Sequence, residues 1–222
     1  MPNSWQALLP VPSACELRVP YAGVSTLVVF RPVTRQNAVY LQSSHIDSSM
    51  NIPGLGEVSK DEQLGWYYSE PKYLALLKGE LGRVVIDGYD EDEAPQQYHV
   101  AIANLLSSSF AVLQAAEQYV FQYYQDMNAH WDSSDEEFLD IGSPPEVWRH
   151  VQLGSELVVS RRHYGDRGIY VSIECNCDWE PEHGLQIVLR DGKVVTKVGP
   201  YDGHLTNSDA FADDALENVV YR

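Results

Sequence analysis

Residues 169–177 alternate strictly. Ile169, Val171, Ile173, Cys175 and Cys177 fall on one side, and Tyr170, Ser172, Glu174 and Asn176 on the other. A period of two predicts a strand with one buried face. Residues 185–190 predict a second strand, Asp191-Gly192 a two-residue hairpin turn, and residues 193–198 a third strand. Further upstream the period changes. Ile102, Leu105, Leu106, Ser109, Leu113, Ala116, Val120 and Tyr124 recur at spacings of three and four, which predicts a helix from about 95 to 127. Acids followed by Pro95 suit its N-terminus. Its remaining faces carry one charge, Glu117, so the helix is expected to be covered on more than one side.

Shorter elements complete the pattern. Strands are expected over 27–30, 38–41, 83–86, 147–153, 156–163 and 219–221. Short helices are expected over 71–78 and 209–217, the latter capped by Asn207 or Ser208. Residues 1–20 are Pro-rich and read as an extended arm. Residues 45–60 read as a loop around the turn Pro53-Gly-Leu-Gly56. That turn lacks the Lys-Ser/Thr ending of a phosphate loop, so nucleotide binding is not expected. The fold class that follows is α+β: one long core helix packed on a mainly antiparallel sheet, with a C-terminal β-meander. A single domain over 1–222 is expected, subdivided into a β-rich N-terminal lobe, 1–90, and helix plus meander, 91–222.

Charge changes this picture. The chain of 222 residues has a net charge of −17. Residues 84–148 hold 13 acids and no Lys or Arg. Such a surface disfavours nucleic acid and anionic membrane and favours a basic protein partner; simple solubility explains it equally well. Most of these acids form two groups: Asp90, Glu91, Asp92 and Glu93, then Asp132, Asp135, Glu136, Glu137 and Asp140. A straight helix between them spans ~50 Å, too far for one small partner to touch both ends. The second group contains Trp131 and Phe138. Aromatics inside a charged rim serve as interface anchors, or else cover a helix end. The second group is therefore expected to meet the partner and the first to be solubilising. No stretch approaches the ~20 apolar residues of a membrane span, and no secretory signal is expected. Three cysteines, two of them Cys175 and Cys177 on one strand face, suit a reduced cytoplasmic protein.

The connection between the first two meander strands is dense in functional side chains: Asp178, Trp179, Glu180, Glu182 and His183. With Asp202 and His204 it has the makings of an acid–base site, the alternative being a hydrolase-like enzyme. The architectural reading has Trp179 packing, Glu180 or Glu182 holding turn amides and His183 bonding backbone before Gly184; Glu180 and Glu182 are also candidate partner contacts. Cys175, Cys177, His183 and His204 are zinc-type ligands. A Cys-x-Cys pair on a strand face suits buried thiols better than a zinc turn, so no metal or cofactor is expected.

The segment Cys177-Asp-Trp-Glu-Pro-Glu-His-Gly-Leu-Gln-Ile-Val188, followed by Tyr201-Asp-Gly-His204, resembles a bacterial family of uncharacterised proteins marked by Trp-Glu-x-Glu-His-Gly. Gly88-Tyr-Asp-Glu-Asp92, Tyr123-Tyr-Gln-Asp126 and Glu146-Val-Trp-Arg-His-Val151 extend the resemblance over roughly 80–222. Within it, Cys177, Trp179, His183 and His204 stand as the structural motif. Members of that family look like immunity proteins of polymorphic toxin systems. The resemblance implies neutralisation of a cognate toxin as the function.

Overall fold

The alternating stretch becomes the longest strand of a large sheet. The computed structural model describes residues 48–136 and 138–222, all within the unit Ser43–Arg222. The expected arm over 1–20 and the strands over 27–30 and 38–41 lie outside the described residues. The strands are β1 Ser49–Ile52, β2 Gly56–Asp61, β3 Trp66–Ser69, β4 Lys72–Leu74, β5 Glu80–Ile86, β6 Val151–Gln152, β7 Glu156–Arg161, β8 Ile169–Cys177, β9 Leu185–Arg190 and β10 Val194–Gly199. Their order is β1-β2-β3-β5-β7-β8-β9-β10. Every pairing is antiparallel except β5 with β7, which run parallel in the register Val84↔Leu157 and Ile86↔Val159. The strands before residue 90 and the C-terminal meander thus share one sheet through that parallel seam.

Two short strands lie end to end with longer ones along one edge. β3 pairs one half of β5 and β4 the other; between them the Ser69 hydroxyl accepts the amide of Val84 at 2.9 Å, standing in for a ladder bond. Likewise β6 pairs the C-terminal end of β8 and β7 the rest. Gly154, in the gap, passes so close to β8 that a Cβ there would sit 1.9 Å from the Glu174 carbonyl oxygen.

Helices cover the face of Ile169, Val171, Ile173, Cys175 and Cys177, all buried. α1, Pro95–Ser107, buries Tyr98, Ala101, Ile102 and Leu105, one stripe at the spacing the sequence predicts. α3, Glu117–Asn128, buries Val120, Tyr123 and Tyr124. The single long helix is corrected: α1 stops at Ser108, a four-residue α2 follows at Ala111–Gln114, and only then does α3 begin. The cause is local. Ser108 turns extended, and its hydroxyl bonds the Asn104 carbonyl at 2.8 Å and the Gly192 carbonyl at 3.3 Å. Asn104 donates to the Asp191 carbonyl at 2.9 Å. The hairpin turn Asp191-Gly192 thus seats against the end of α1, where a Cβ on Gly192 would lie 2.3 Å from the Ala101 oxygen. Both turn residues have positive φ, 51° and 70°, as a two-residue turn of this hand requires.

Other expectations are corrected too. The loop over 45–60 contains β1 and β2, a hairpin turned by Gly54 and Gly56 at φ 85° and 84°. The helix over 71–78 is β4 followed by the 3-10 turn Ala75–Leu77. Pro144–Arg149 is a 3-10 helix, which leaves only β6 of the strand expected over 147–153. The C-terminal helix is α4, Asn207–Phe211, capped by Thr206, whose hydroxyl accepts the Asp209 amide. The strand over 219–221 reduces to one bond, Val198 amide to Val220 carbonyl at 2.7 Å. Among the described residues no helix is long and apolar enough to cross a membrane.

Candidate functional site

Two connections meet at α3. The first follows the helix. Its base is closed by Asn128, whose side chain accepts the Leu139 amide at 3.0 Å and donates to the Leu139 carbonyl at 2.9 Å, as a paired strand residue would. Tyr124 adds a donated bond to the Leu139 carbonyl at 2.7 Å and accepts the Ile141 amide at 3.1 Å. From this fixed base, Trp131, Asp132, Asp135, Glu136 and Asp140 are exposed and Phe138 is half-buried; Glu137 lies outside the described residues. Trp131 keeps 43% of its surface exposed, high for an indole. The Asp132 carboxylate accepts the Ser134 amide at 3.1 Å and its hydroxyl at 3.0 Å, which hold it below the usual carboxylate range.

The two acidic groups differ in kind. In the first, Asp90 pairs with Lys60 at 2.9 Å and accepts from the Tyr67 hydroxyl at 2.8 Å. Asp92 takes a bidentate pair from Arg161, and only 5% of its side chain is exposed against 15% for the arginine. Two of its four acids are therefore built into the fold, which corrects the expectation of a merely solubilising group. In the second group, no Lys or Arg among the described residues lies within ion-pair distance of Asp132, Asp135, Glu136 or Asp140.

The second connection joins β8 to β9. Trp179 is buried, its ring set edge-on to Tyr123 and Tyr124 at 6.1 and 6.0 Å. The Tyr123 hydroxyl donates to the Gly184 carbonyl at 3.1 Å. Gly184 has φ 62°, and a Cβ there would stand 2.4 Å from the Cys175 oxygen, so only glycine fits. Glu180 is half-buried and accepts the His183 amide and Nδ1, each at 3.2 Å. His183 is exposed, and its ring meets this carboxylate where a backbone partner was expected. Glu182 is exposed. Asp178 bonds His150 and Gln152. The Tyr201 amide donates to the His183 carbonyl at 3.2 Å, and the Asp202 and His204 that follow form a second carboxylate–imidazole pair at 3.4 Å.

Glu180, Glu182 and His183 form, among the described residues, the group whose ligand atoms lie within 4.8 Å of one another. Cys175 and Cys177 are not part of it. Burial pushes both thiols up to about 12, so they stay protonated and pack as small apolar side chains.

Two buried cations escaped the sequence reading. Lys197 is 1% exposed and spends its three donors on Gln186 at 2.9 Å, Asp202, and the His204 carbonyl at 3.2 Å. It pins the Tyr201–His204 loop to the sheet. Arg162 is 3% exposed and grips Asp209 and Glu217 in the C-terminal segment. A lone Lys in an apolar strand, Val194-Val-Thr-Lys-Val, was the available signal for the first; nothing local marks Arg162 apart from Arg161.

The family model described as Domain of unknown function (DUF6985) matches residues 54–205, which take in both connections and stop short of α4. No curated protein and no solved structure is significantly similar to the chain.

Proposed function

The chain belongs to the DUF6985 family; we propose that it is an acidic cytoplasmic protein that binds and neutralises a basic protein, as an immunity protein does its toxin. The observation that carries this reading is the contrast between the acidic groups. The first spends Asp90 and Asp92 on ion pairs, while Asp132, Asp135, Glu136 and Asp140 stand without a basic neighbour among the described residues, around an exposed Trp131, on a loop clamped at its base. Clustered unpaired charge steers encounter with an opposite partner, and an exposed indole supplies contact area at small entropic cost. A fixed loop base limits what is lost on ordering.

The test is a paired affinity capture from the source organism with the wild-type chain and the triple variant Asp132→Lys, Asp135→Lys, Glu136→Lys. A basic protein held by the first and lost by the second, whose expression arrests growth unless the wild-type chain is co-expressed, supports the reading. Capture indifferent to the triple variant, or to salt between roughly 0.05 and 0.5 M, overturns it.

A second reading, a hydrolase-like site, is favoured by two carboxylate–imidazole pairs, Glu180–His183 and Asp202–His204, on segments joined by the bond from Tyr201 to His183. Turnover of a panel of ester and amide substrates that disappears in His183→Ala and His204→Ala would support it.

A further inference from the structure

A cleft opens between the turn Arg162-His-Tyr-Gly165 and residues 203–217, with His204 on its lining. Its volume is about 690 Å³. Arg162 forms its floor. The guanidinium gives Nε to Asp209 at 2.7 Å and Nη2 to Asp209 and Glu217, each at 2.8 Å, while Nη1 faces Glu217 and Asp166. Its donors are thus occupied, and none is left to receive a phosphate or carboxylate. Gly165 makes this floor flush, since a Cβ there would sit 2.6 Å from the guanidinium carbon. The walls hold Asp209 and Glu217, already shared with Arg162, and Asp214, which has no ion-pair partner among the described residues. Tyr164 stands at the rim, 75% exposed. The cleft therefore has surplus negative charge, a spare carboxylate and a free aromatic face, with His163 and His204 also on its lining.

Resting on the function proposed above, we infer that this cleft receives a cationic side chain, arginine or lysine, of the same basic partner. A cation placed there meets Asp214 at the wall and the Tyr164 ring at the rim, where an aromatic face attracts it further. The C-terminal segment around it is net acidic. Residues 201–222 hold five acids and one Arg. Tyr221 donates to Asp126 of α3 at 2.7 Å, and it follows Glu217 by four residues, at most about 14 Å of chain. One standard interface, about 800 Å² per partner and so roughly 30 Å across, reaches from the cleft rim to the helix that carries the acidic loop. Most of the cleft's outer wall, Ser208 to Glu217, lies beyond the residues the family model matches, so this contact would distinguish the chain's own partner from those of other family members.

The probe is acetyl-arginine amide, with acetyl-citrulline amide as its uncharged isostere, followed through the amide resonances of Gly165, Gly203 and Leu205. Saturable shifts with arginine but not citrulline, weakened roughly 2–5-fold by Asp214→Asn as an exposed charge contact allows, are expected. Asp214→Asn leaves the Arg162 cluster intact, so the fold is not at risk, and Tyr164→Ala provides an independent second variant. The triple loop variant should leave arginine binding unchanged. Equal shifts with citrulline, or no saturable shift, overturn the inference; loss of the basic partner in the loop variant would then still uphold the function proposed above. Arginine binding that Asp214→Asn weakens while partner capture stays unchanged would also overturn it, by separating the cleft from the partner surface.

Discussion

Replacing Asp92 by Ala tests whether the first acidic group belongs to the fold. The carboxylate is nearly buried, takes both Nε and Nη2 of Arg161, and also accepts the Ala94 amide at 2.8 Å just ahead of α1. Its loss leaves a guanidinium, itself only 15% exposed, with the Gln97 side chain and backbone carbonyls in place of a counter-charge. Breaking one partner of a buried pair costs about 3–5 kcal/mol. For a protein of this size that is a fall in Tm of roughly 6–20 °C. Glu91→Ala and Glu93→Ala, both exposed, should stay within about 0.5 kcal/mol. Arg161 holds the Asp92 carboxyl below its usual range, so its contribution is present above the unfolded value near 4 and is lost as pH falls through the folded one. The gap between wild type and Asp92→Ala in thermal melts should therefore close below pH ~4. A variant that melts with Glu91→Ala, or a gap that persists in acid, would refute the ion-pair account.

Trp179→Ala should cost about 3–5 kcal/mol by urea denaturation, whereas Trp179→Phe should cost clearly less, because the indole NH has no partner among the described residues. His183→Ala should stay within about 1 kcal/mol, its ring being exposed and its one side-chain bond among the described residues being to Glu180. Gly184→Ala should unfold the β8–β9 connection, seen as loss of amide protection at Leu185 and Gly184, since neither φ nor space admits a Cβ. Arg162 holds the Glu217 carboxyl down; burial pushes Asp209 up, but the bonds from Arg162 and Thr206 together leave it lowered as well. Acidification below pH ~4 should therefore free the C-terminal segment, read as protease cleavage after Tyr201 ahead of global unfolding, and cleavage insensitive to pH would count against this.

Where the pattern of side chains alone decides structure, the sequence was readable. β8, β9 and β10 follow from alternation and the Asp-Gly turn, and the buried stripe of α1 follows from its spacing. The helix break was also written there, as Ser107-Ser-Ser109, residues that compete for backbone carbonyls; the three-four periodicity continuing across them concealed it. β1 and β2 were illegible because their few apolar residues, Met50, Ile52 and Val58, draw no clear alternation and the segments acquire strand geometry only by pairing. The long-range pairs were illegible for a different reason. Nothing in Asp90-Glu-Asp-Glu93 distinguishes the residue that meets Arg161 from its neighbours, because that partner is 69 positions away. The candidate loop was legible as composition, whereas the clamp by Asn128 and Tyr124 that makes it a presented surface was not.

The parallel seam has a consequence for the chain as it is made. β5 carries Val84, Val85 and Ile86, all buried in the finished sheet, and its partner β7 begins only at Glu156. At 5–20 residues per second the ribosome takes roughly 4–14 s to deliver that partner. Throughout this interval the early strands offer an apolar edge with unpaired backbone groups, the kind of template that recruits other nascent chains. The hazard thus belongs to synthesis: slowing translation between residues 87 and 155 lengthens it, and a chaperone that holds the edge of β5 removes it.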